Sequence, residues 1–389
     1  ISGVGVCNSC GVIPPFKLVM EATGWSFRQT LEELAIASGY RDGLNSGVFK
    51  VREKSPEQIA AEKAMKERQE AKDAKNLQKI KELWEGAYKL NKPQATPVFR
   101  YLKNRGIEIK FDSFGDEVRF HPAVRYIDVN YTSCLVVLAQ VDGEQKMQRW
   151  WIDKDGNRAP EPVGKEMNRP EVFLKELIPL DNHKAKPAQL FLQQCNPATA
   201  KWIMSHRVLF HRGVGFINDL GDHPCILKRI RNPSGTPINL HQTFITLDGK
   251  KADVPTVKKM RPAISSLPIS GGALQLCPPV PVMGVAEGFE TSLSVDAAIG
   301  MPMWPLLNAT LMANWIPPKG VKRVYIWEDP DQAGEGNAQK LADRLQQMNI
   351  EPIRVSTRAV RPEGDWDWND VLIKLGPDAF PHKDWMDNL

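Results

Sequence analysis

Glu287, Asp329 and Asp331 stand at two places in this chain where an apolar run meets acid and glycine. Val282-Met283-Gly284-Val285-Ala286 leads into Glu287-Gly288, and Val324-Tyr325-Ile326-Trp327 leads into Glu328-Asp329-Pro330-Asp331, with Gly334 close behind. Each run has the length of a buried strand, and each is followed by a helical pattern. Strands alternating with helices imply a parallel sheet, and such sheets gather ligands at the carboxyl ends of their strands. The three acids are therefore expected on one sheet edge, where their mutual repulsion calls for a cation. Hard carboxylate oxygens suit Mg²⁺ (or Mn²⁺), which keeps several waters and bridges substrate phosphates. Asp329 and Asp331, two positions apart, share a face of an extended segment and can serve one metal cluster. Gly288 and Gly334 leave room just past the strand ends for phosphate or metal-bound water. The outline is a phosphoryl-transfer site.

The elements that must position these acids read as strand 282–286, helix 290–299, strand 303–308, a short helix from Leu311, strand 321–327, helix 336–348 and strand 352–356. Asp367, Asn369 and Asp370 form a last polar block in Trp366-Asp367-Trp368-Asn369-Asp370. Asp367 and Asp370 add outer metal contacts, or Asp367 or Asn369 caps a helix starting near Asp370. Glu328 has no role assigned by this pattern.

The blocks VAEGFETSLS, VYIWEDPDQAGEGNAQKLADRL and DWDWNDVL, in this order, resemble the Toprim domain, and within it the phage and plasmid branch of bacterial-type primases. Pro330 departs from the Asn common between the family's two aspartates; it stiffens the segment without removing a ligand. The resemblance is strong over about residues 280–375 and loose elsewhere. It implies an α/β fold: a Toprim-like parallel sheet with helices on both faces, preceded by a β-rich basic subdomain and a helical N-terminal region. It also implies a DNA primase that builds short RNA primers from NTPs on a single-stranded DNA template, with Glu287, Asp329 and Asp331 catalytic. A Toprim nuclease using the same acids, and a non-catalytic single-strand-binding replisome module, are the alternatives. A replicative helicase is an implied partner, to be supplied from outside these residues because no P-loop is present. The setting implied is the bacterial cytoplasm, with the chain encoded by a phage or plasmid.

Upstream, Cys7-Asn8-Ser9-Cys10-Gly11 is one knuckle of a zinc ribbon, and a tetrahedral site needs two more ligands. In the family an earlier ligand pair precedes this one. The chain opens at Ile1 without Met and is expected to start within that module, so Zn²⁺ at Cys7 and Cys10 is a partial site; two ordinary thiols are the alternative. The expected divisions are a partial zinc module and helix over 1–52, a charged helical linker over 53–92, a β-rich basic subdomain over 93–280, the catalytic domain over 281–375 and a tail over 376–389. Ser55-Pro56-Glu57-Gln58 is a capping box that starts the linker helix, either a solvated spacer or a partner-binding surface.

Within 93–280 an echo recurs after about ninety residues. Arg119-Phe120-His121, Cys134 to Leu138 and a hairpin ending in Asp155-Gly156 are answered by Leu209-Phe210-His211, Cys225 to Leu227 and Asp248-Gly249. Cys134 and Cys225 read as core, and His121 and His211 as structural residues. Arg149 beside Trp150 and Trp151, and the cations Lys228, Arg229, Arg231, Lys250, Lys251, Lys258, Lys259 and Arg261, suit single-stranded nucleic acid or NTP: charges track phosphates while rings stack bases. A solvated charged face is the alternative. With 51 basic and 46 acidic residues the balance is only mildly positive, which permits a nucleic-acid partner without requiring one. No apolar run approaches a membrane span, and six scattered cysteines point to a reducing compartment.

Overall fold

The computed structural model describes residues 5–7, 11–13, 19–20, 23–37, 55–109, 114–141, 144–168, 170–361 and 364–388. Near the start, the antiparallel pair β1 (Gly5–Cys7) and β2 (Gly11–Ile13) precedes helix α1 (Phe27–Ala37). Cys10, the second ligand of the expected zinc knuckle, lies outside the described residues. No helix among the described residues is long and apolar enough to cross a membrane.

Helix α2 (Pro56–Glu85) begins at the capping box the sequence announces: Ser55 accepts from Gln58 N–H and Gln58 reaches back to the Ser55 backbone. Most of it is exposed, but it is more than a spacer. Asp73 is buried and accepts from the amides of Ser265 (2.8 Å) and Ser266 (3.3 Å), while Ile80, Leu83 and Trp84 pack on the β-rich unit.

That unit is built twice. Strand β3 (Tyr88–Lys89), a 3₁₀ turn at Pro93–Ala95 and α3 (Thr96–Lys103) lead to the long β4 (Val118–Val141) and its partner β5 (Glu144–Ile152). The short β6 (Lys165–Glu166) and helix α4 (Pro170–Lys175) follow. Then β7 (Ile178–Pro179), a 3₁₀ turn at His183–Ala185 and α5 (Lys186–Gln194) repeat the first motif. Helix α6 (Pro197–Met204) intervenes before β8 (Arg207–Arg231) and β9 (Pro237–Phe244). Tyr88 pairs with Phe120 and Ile178 with Phe210, which fixes the repeat at ninety residues. The long strands β4 and β8 run antiparallel along their length, and Asp128 faces Asn218, its own equivalent. An approximate two-fold axis therefore passes between those two residues.

The hairpin glycines show why both copies close alike. A Cβ on Gly156 would lie 2.6 Å from Leu190 Cβ and 2.7 Å from Phe191 N; one on Gly249 would lie 2.5 Å from Tyr101 N. Each turn presses on the same point of the other copy's helix, at φ +82°. Gly249→Ala therefore forces backbone against backbone in a left-handed conformation, and should lower stability by roughly 2 kcal/mol or more in a denaturant melt. Cys134 and Cys225 are fully buried, and burial pushes both thiols up to about 12.

Strand β10 (Lys258–Met260) joins β9 and ends the β-rich sheet. A four-stranded parallel sheet then forms in the order β12 (Met303–Pro305), β11 (Val282–Ala286), β13 (Arg323–Glu328), β14 (Glu351–Ser356). Its helices are α7 (Phe289–Ile299), α8 (Ala309–Asn314), α9 (Gln332–Gln347) and α10 (Trp368–Leu375). Alternation along the pleat sends Met283, Val285, Val324 and Ile326 into one core with α8 and α9, and Val282, Ala286, Tyr325 and Trp327 into another with α10. The sheet is thus covered on both faces, as expected. The first of those cores continues into the β-rich unit through Tyr101 and Phe120 of repeat one and Ile226 and Ile238 of repeat two, whereas Leu135, Val137 and Ile152 of repeat one join Phe191 and Phe210 of repeat two in a separate cluster. One end of the β-rich unit, built from both repeats, and the parallel sheet share one core.

Candidate active site

Strands β11 and β13 are adjacent and parallel, with Ala286 level with Trp327, so Glu287 and Asp329 leave the sheet at the same edge. The carboxylates feel one another. Asp329 is pushed up to about 7, first by burial and then by Glu287, Asp367 and Asp331. Glu287 is raised by burial and by Asp331. Asp329 Oδ1 is buried and has no hydrogen-bond partner among the described residues. An orphaned carboxylate oxygen among three further acids is the environment a hard cation relieves, so this donor set fits Mg²⁺ or Mn²⁺. The acids are gathered but not closed on a point: among the described residues no group of three or more His, Cys, Asp or Glu could hold an ion as placed.

Local structure explains how each acid is held. Asp331 caps α9, accepting from Gly334 N–H at 2.6 Å, so that helix begins four residues earlier than its apolar stripe suggests. Asp367 likewise caps α10 by accepting from Asp370 N–H at 2.8 Å while also acting on Asp329, so capping and membership of the acid cluster coexist. The Ala309 amide donates to the Glu287 carboxylate at the start of α8. Just before it, Leu307 takes φ +67°, costly for a branched side chain, and its N–H bonds Glu287 O at 2.8 Å. Nothing in the sequence marks Leu307.

The glycines work differently from expectation. A Cβ on Gly334 would lie 2.7 Å from Asp329 O, and one on Gly288 would lie 2.7 Å from Thr291 Oγ1. Their room is filled by the chain itself, which brings α9 against the Asp329 segment. Asp370 also departs from its expected metal role: its carboxylate pairs with Lys374 at 3.3 Å. Asn369 is buried and ties Arg105 O (2.8 Å) to Ser294 Oγ (3.0 Å). Glu328 pairs with Arg354 of the neighbouring strand at 2.7 Å, which gives it a structural role outside the acid cluster.

The expected cations divide. Lys258 reaches from β10 to Glu290 Oε2 at 2.8 Å, and its charge also lowers Glu287 and Asp329. Lys251 is lowered by burial and by Arg105 and Lys258, with Glu290 and Asp367 opposing. Lys251, Lys258 and Arg105 thus form the positive side of the acid cluster, and Arg105 had no sequence signal. Lys228 is corrected outright. It is fully buried, bonded to Thr243 Oγ1 and lowered to about 8 by burial, so it cannot meet a phosphate at the surface. Arg229 and Arg231 both bind the Glu117 carboxylate at 2.8 Å, and Arg149 pairs with Glu166 at 2.7 Å over the Phe173 ring. These three are internal ties rather than free charges. Lys250 pairs with Asp248 at the hairpin tip (2.9 Å), Lys259 donates to Ile127 O (2.9 Å), and Arg261 is half-buried with its Nε unpartnered among the described residues.

Glu290 was also missed. It is buried and held ionised by Lys258, by Lys228 and by the Tyr101 hydroxyl at 2.6 Å, well below the usual carboxylate range despite its burial.

The raised Asp329 carboxyl has a stability consequence with a definite sign. Its folded value lies above the unfolded 3.8, so the folded state loses stability as pH rises from about 4 to about 7, and the loss is complete above that. Asp329→Asn should therefore raise the unfolding free energy of metal-free protein above pH 7 by about 2 to 4 kcal/mol, read in denaturant melts, and leave it unchanged near pH 4.

Residues 282–378 match the Toprim domain family, and 74–171 and 179–270 match a domain of unknown function (DUF7146), one segment on each copy of the duplicated unit. No curated protein matches the chain in sequence. Among solved structures it is similar to the Aquifex aeolicus primase, zinc-binding and RNA polymerase domains, at 14% identity over 95% of this chain and 70% of that one, TM-score 0.37. It is similar to the DnaG primase catalytic domain bound to ssDNA at 12% identity over 81% and 80%, TM-score 0.41. A DNA primase domain from Pseudomonas aeruginosa gives 14% identity over 78% and 76%, TM-score 0.39. At these scores the likeness is one of outline, and the functional reading rests on the acids and on the Toprim match.

Proposed function

We propose, from the premise that residues 282–378 are a Toprim domain, that this chain is a DNA primase, joining NTPs into short RNA primers on a single-stranded DNA template. The observation that carries the reading is the coupled group Glu287, Asp329, Asp331 and Asp367, set against Lys258 from the β-rich unit. Divalent magnesium held by Glu287, Asp329 and Asp331 would acidify the attacking 3′-hydroxyl and neutralise the departing pyrophosphate. The chain's own groups set the stage for that displacement. Burial of Asp329 keeps the acid cluster in a low-dielectric environment, where each charge acts more strongly than in water. Asp331 is pinned through one oxygen by the Gly334 amide, which leaves the other oxygen without a bond from the described residues. Lys258 and Lys251 supply positive charge beside the acids, where a triphosphate must approach a surface otherwise repulsive to it. The template strand and an associated helicase are the partners this function requires.

A labelled-nucleotide extension assay on single-stranded template tests the reading. Magnesium-dependent lengthened product supports synthesis. Shortening of the template supports a Toprim nuclease, and binding without turnover supports a non-catalytic module.

A further inference from the structure

At the same ninety-residue spacing the two copies of the β-rich unit differ around His211. In both copies the strand histidine accepts from the amide two residues on, His121 from Ala123 (3.1 Å) and His211 from Gly213 (3.2 Å). That bond leaves the proton on Nε2. In copy one Nε2 faces Gly86, where a Cβ would lie only 3.2 Å away. In copy two the equivalent position is Glu176, and His211 Nε2 lies 3.0 Å from its Oε2, which also accepts from Asn168 (3.1 Å). His211 is 2% exposed and stacks flat on Phe173 at 4.7 Å, whereas the Glu176 side chain is half-exposed.

This pair lies in the wall of an open cavity of about 580 Å³, with Lys175, Lys184 and Arg212 around it and the Tyr131 ring, 70% exposed, at its side. None of the three cations is ion-paired with a described acid. Their equivalents in copy one are Glu85, Gln94 and Pro122, so the positive charge belongs to copy two alone. The scaffold does not need it, because copy one folds the same motif without it. Burial holds His211 below its usual value, and Glu176 is the one acid lining the cavity beside the three cations.

We infer that this cavity is a second nucleotide-binding site, separate from the Toprim acids. Cations for phosphate, an exposed ring on which a base can stack, and a fixed carboxylate that accepts from a sugar hydroxyl or base amino group are the three recognition elements of one nucleotide unit. None of the residues lining this cavity belongs to the acid cluster or to the parallel sheet that carries it. The nucleotide can be one unit of a passing single strand or a free mononucleotide, and the inference stands whether or not the chain polymerises.

The test uses the full chain in EDTA, without catalysis, titrated with a fluorescein-labelled oligothymidylate by anisotropy and with radiolabelled ATP by equilibrium dialysis. The variants are Lys184→Glu combined with Arg212→Glu, and separately Tyr131→Ala; all three positions are exposed, and melting curves check that each variant is folded. Charge reversal at Lys81 and Lys92 of copy one is the control for general electrostatics. Weakening of oligothymidylate by roughly tenfold, beyond the control, with ATP unchanged assigns the site to a strand. Selective loss of ATP assigns it to a mononucleotide. Unchanged binding of both probes, or weakening equal to the control's, overturns the inference.

Discussion

Asp329→Ala should reduce nucleotide incorporation by roughly 10³-fold while leaving the protein folded. Asp329 is the most perturbed member of the acid cluster, raised to about 7 by burial and by three acids around it. Its Oδ1 has no bond to lose among the described residues. Truncation removes the carboxylate on which Glu287, Asp331 and Asp367 all act, and with it the site's main reason to bind a divalent cation. Loss of fold cannot be the cause, since removing a repelled, buried carboxylate should stabilise the metal-free protein above pH 7. Incorporation measured beside a melting curve separates the two: activity collapses while the melting temperature holds or rises. A variant that keeps activity within a few-fold would remove Asp329 from the chemistry.

The second large effect is on stability. Glu290→Ala should cost roughly 3 to 5 kcal/mol, because it strands charges that its carboxylate compensates. Lys228 is fully buried and depends on that carboxylate to stay protonated, and Tyr101 loses the acceptor for its buried hydroxyl. Glu290 is held below its unfolded value, so its contribution is present above about pH 4.5 and disappears only as strong acid protonates it. Replacing both partners, Glu290→Leu with Lys228→Met, should recover most of the loss, since an apolar pair leaves no uncompensated charge. Chemical denaturation of the single and double variants measures this. Equal loss in both would mean that side-chain shape rather than charge sets the cost.

The acids were legible in the sequence because their signal is local. An apolar run, an acid and a glycine fix a strand end, and parallel strands place their ends together. The repeat was legible for a similar reason, since Phe120-His121 and Phe210-His211 hold equivalent places in paired strands. The charges were not. Lys228 and Arg229 look alike in sequence, yet alternation along β8 buries one and sets the other against Glu117, a partner more than a hundred residues away. Arg149, Arg229 and Arg231 were mistaken for free cations on the same ground: a sequence shows a charge but not its counter-ion. Glu290 was missed because an acid in the first turn of a helix is ordinary, and only the approach of β10 and α3 makes it a buried junction. Asp370 faces Lys374, one helical turn on, and is not among the acids that act on Glu287 or Asp329.

The central claim is that Glu287, Asp329 and Asp331 hold a divalent cation together. Anomalous diffraction from crystals soaked in manganese tests it most directly. A manganese peak within coordination distance of Asp329 and Glu287 is the predicted result; saturating manganese with no peak beside them, or a peak elsewhere with these acids apart, would contradict it.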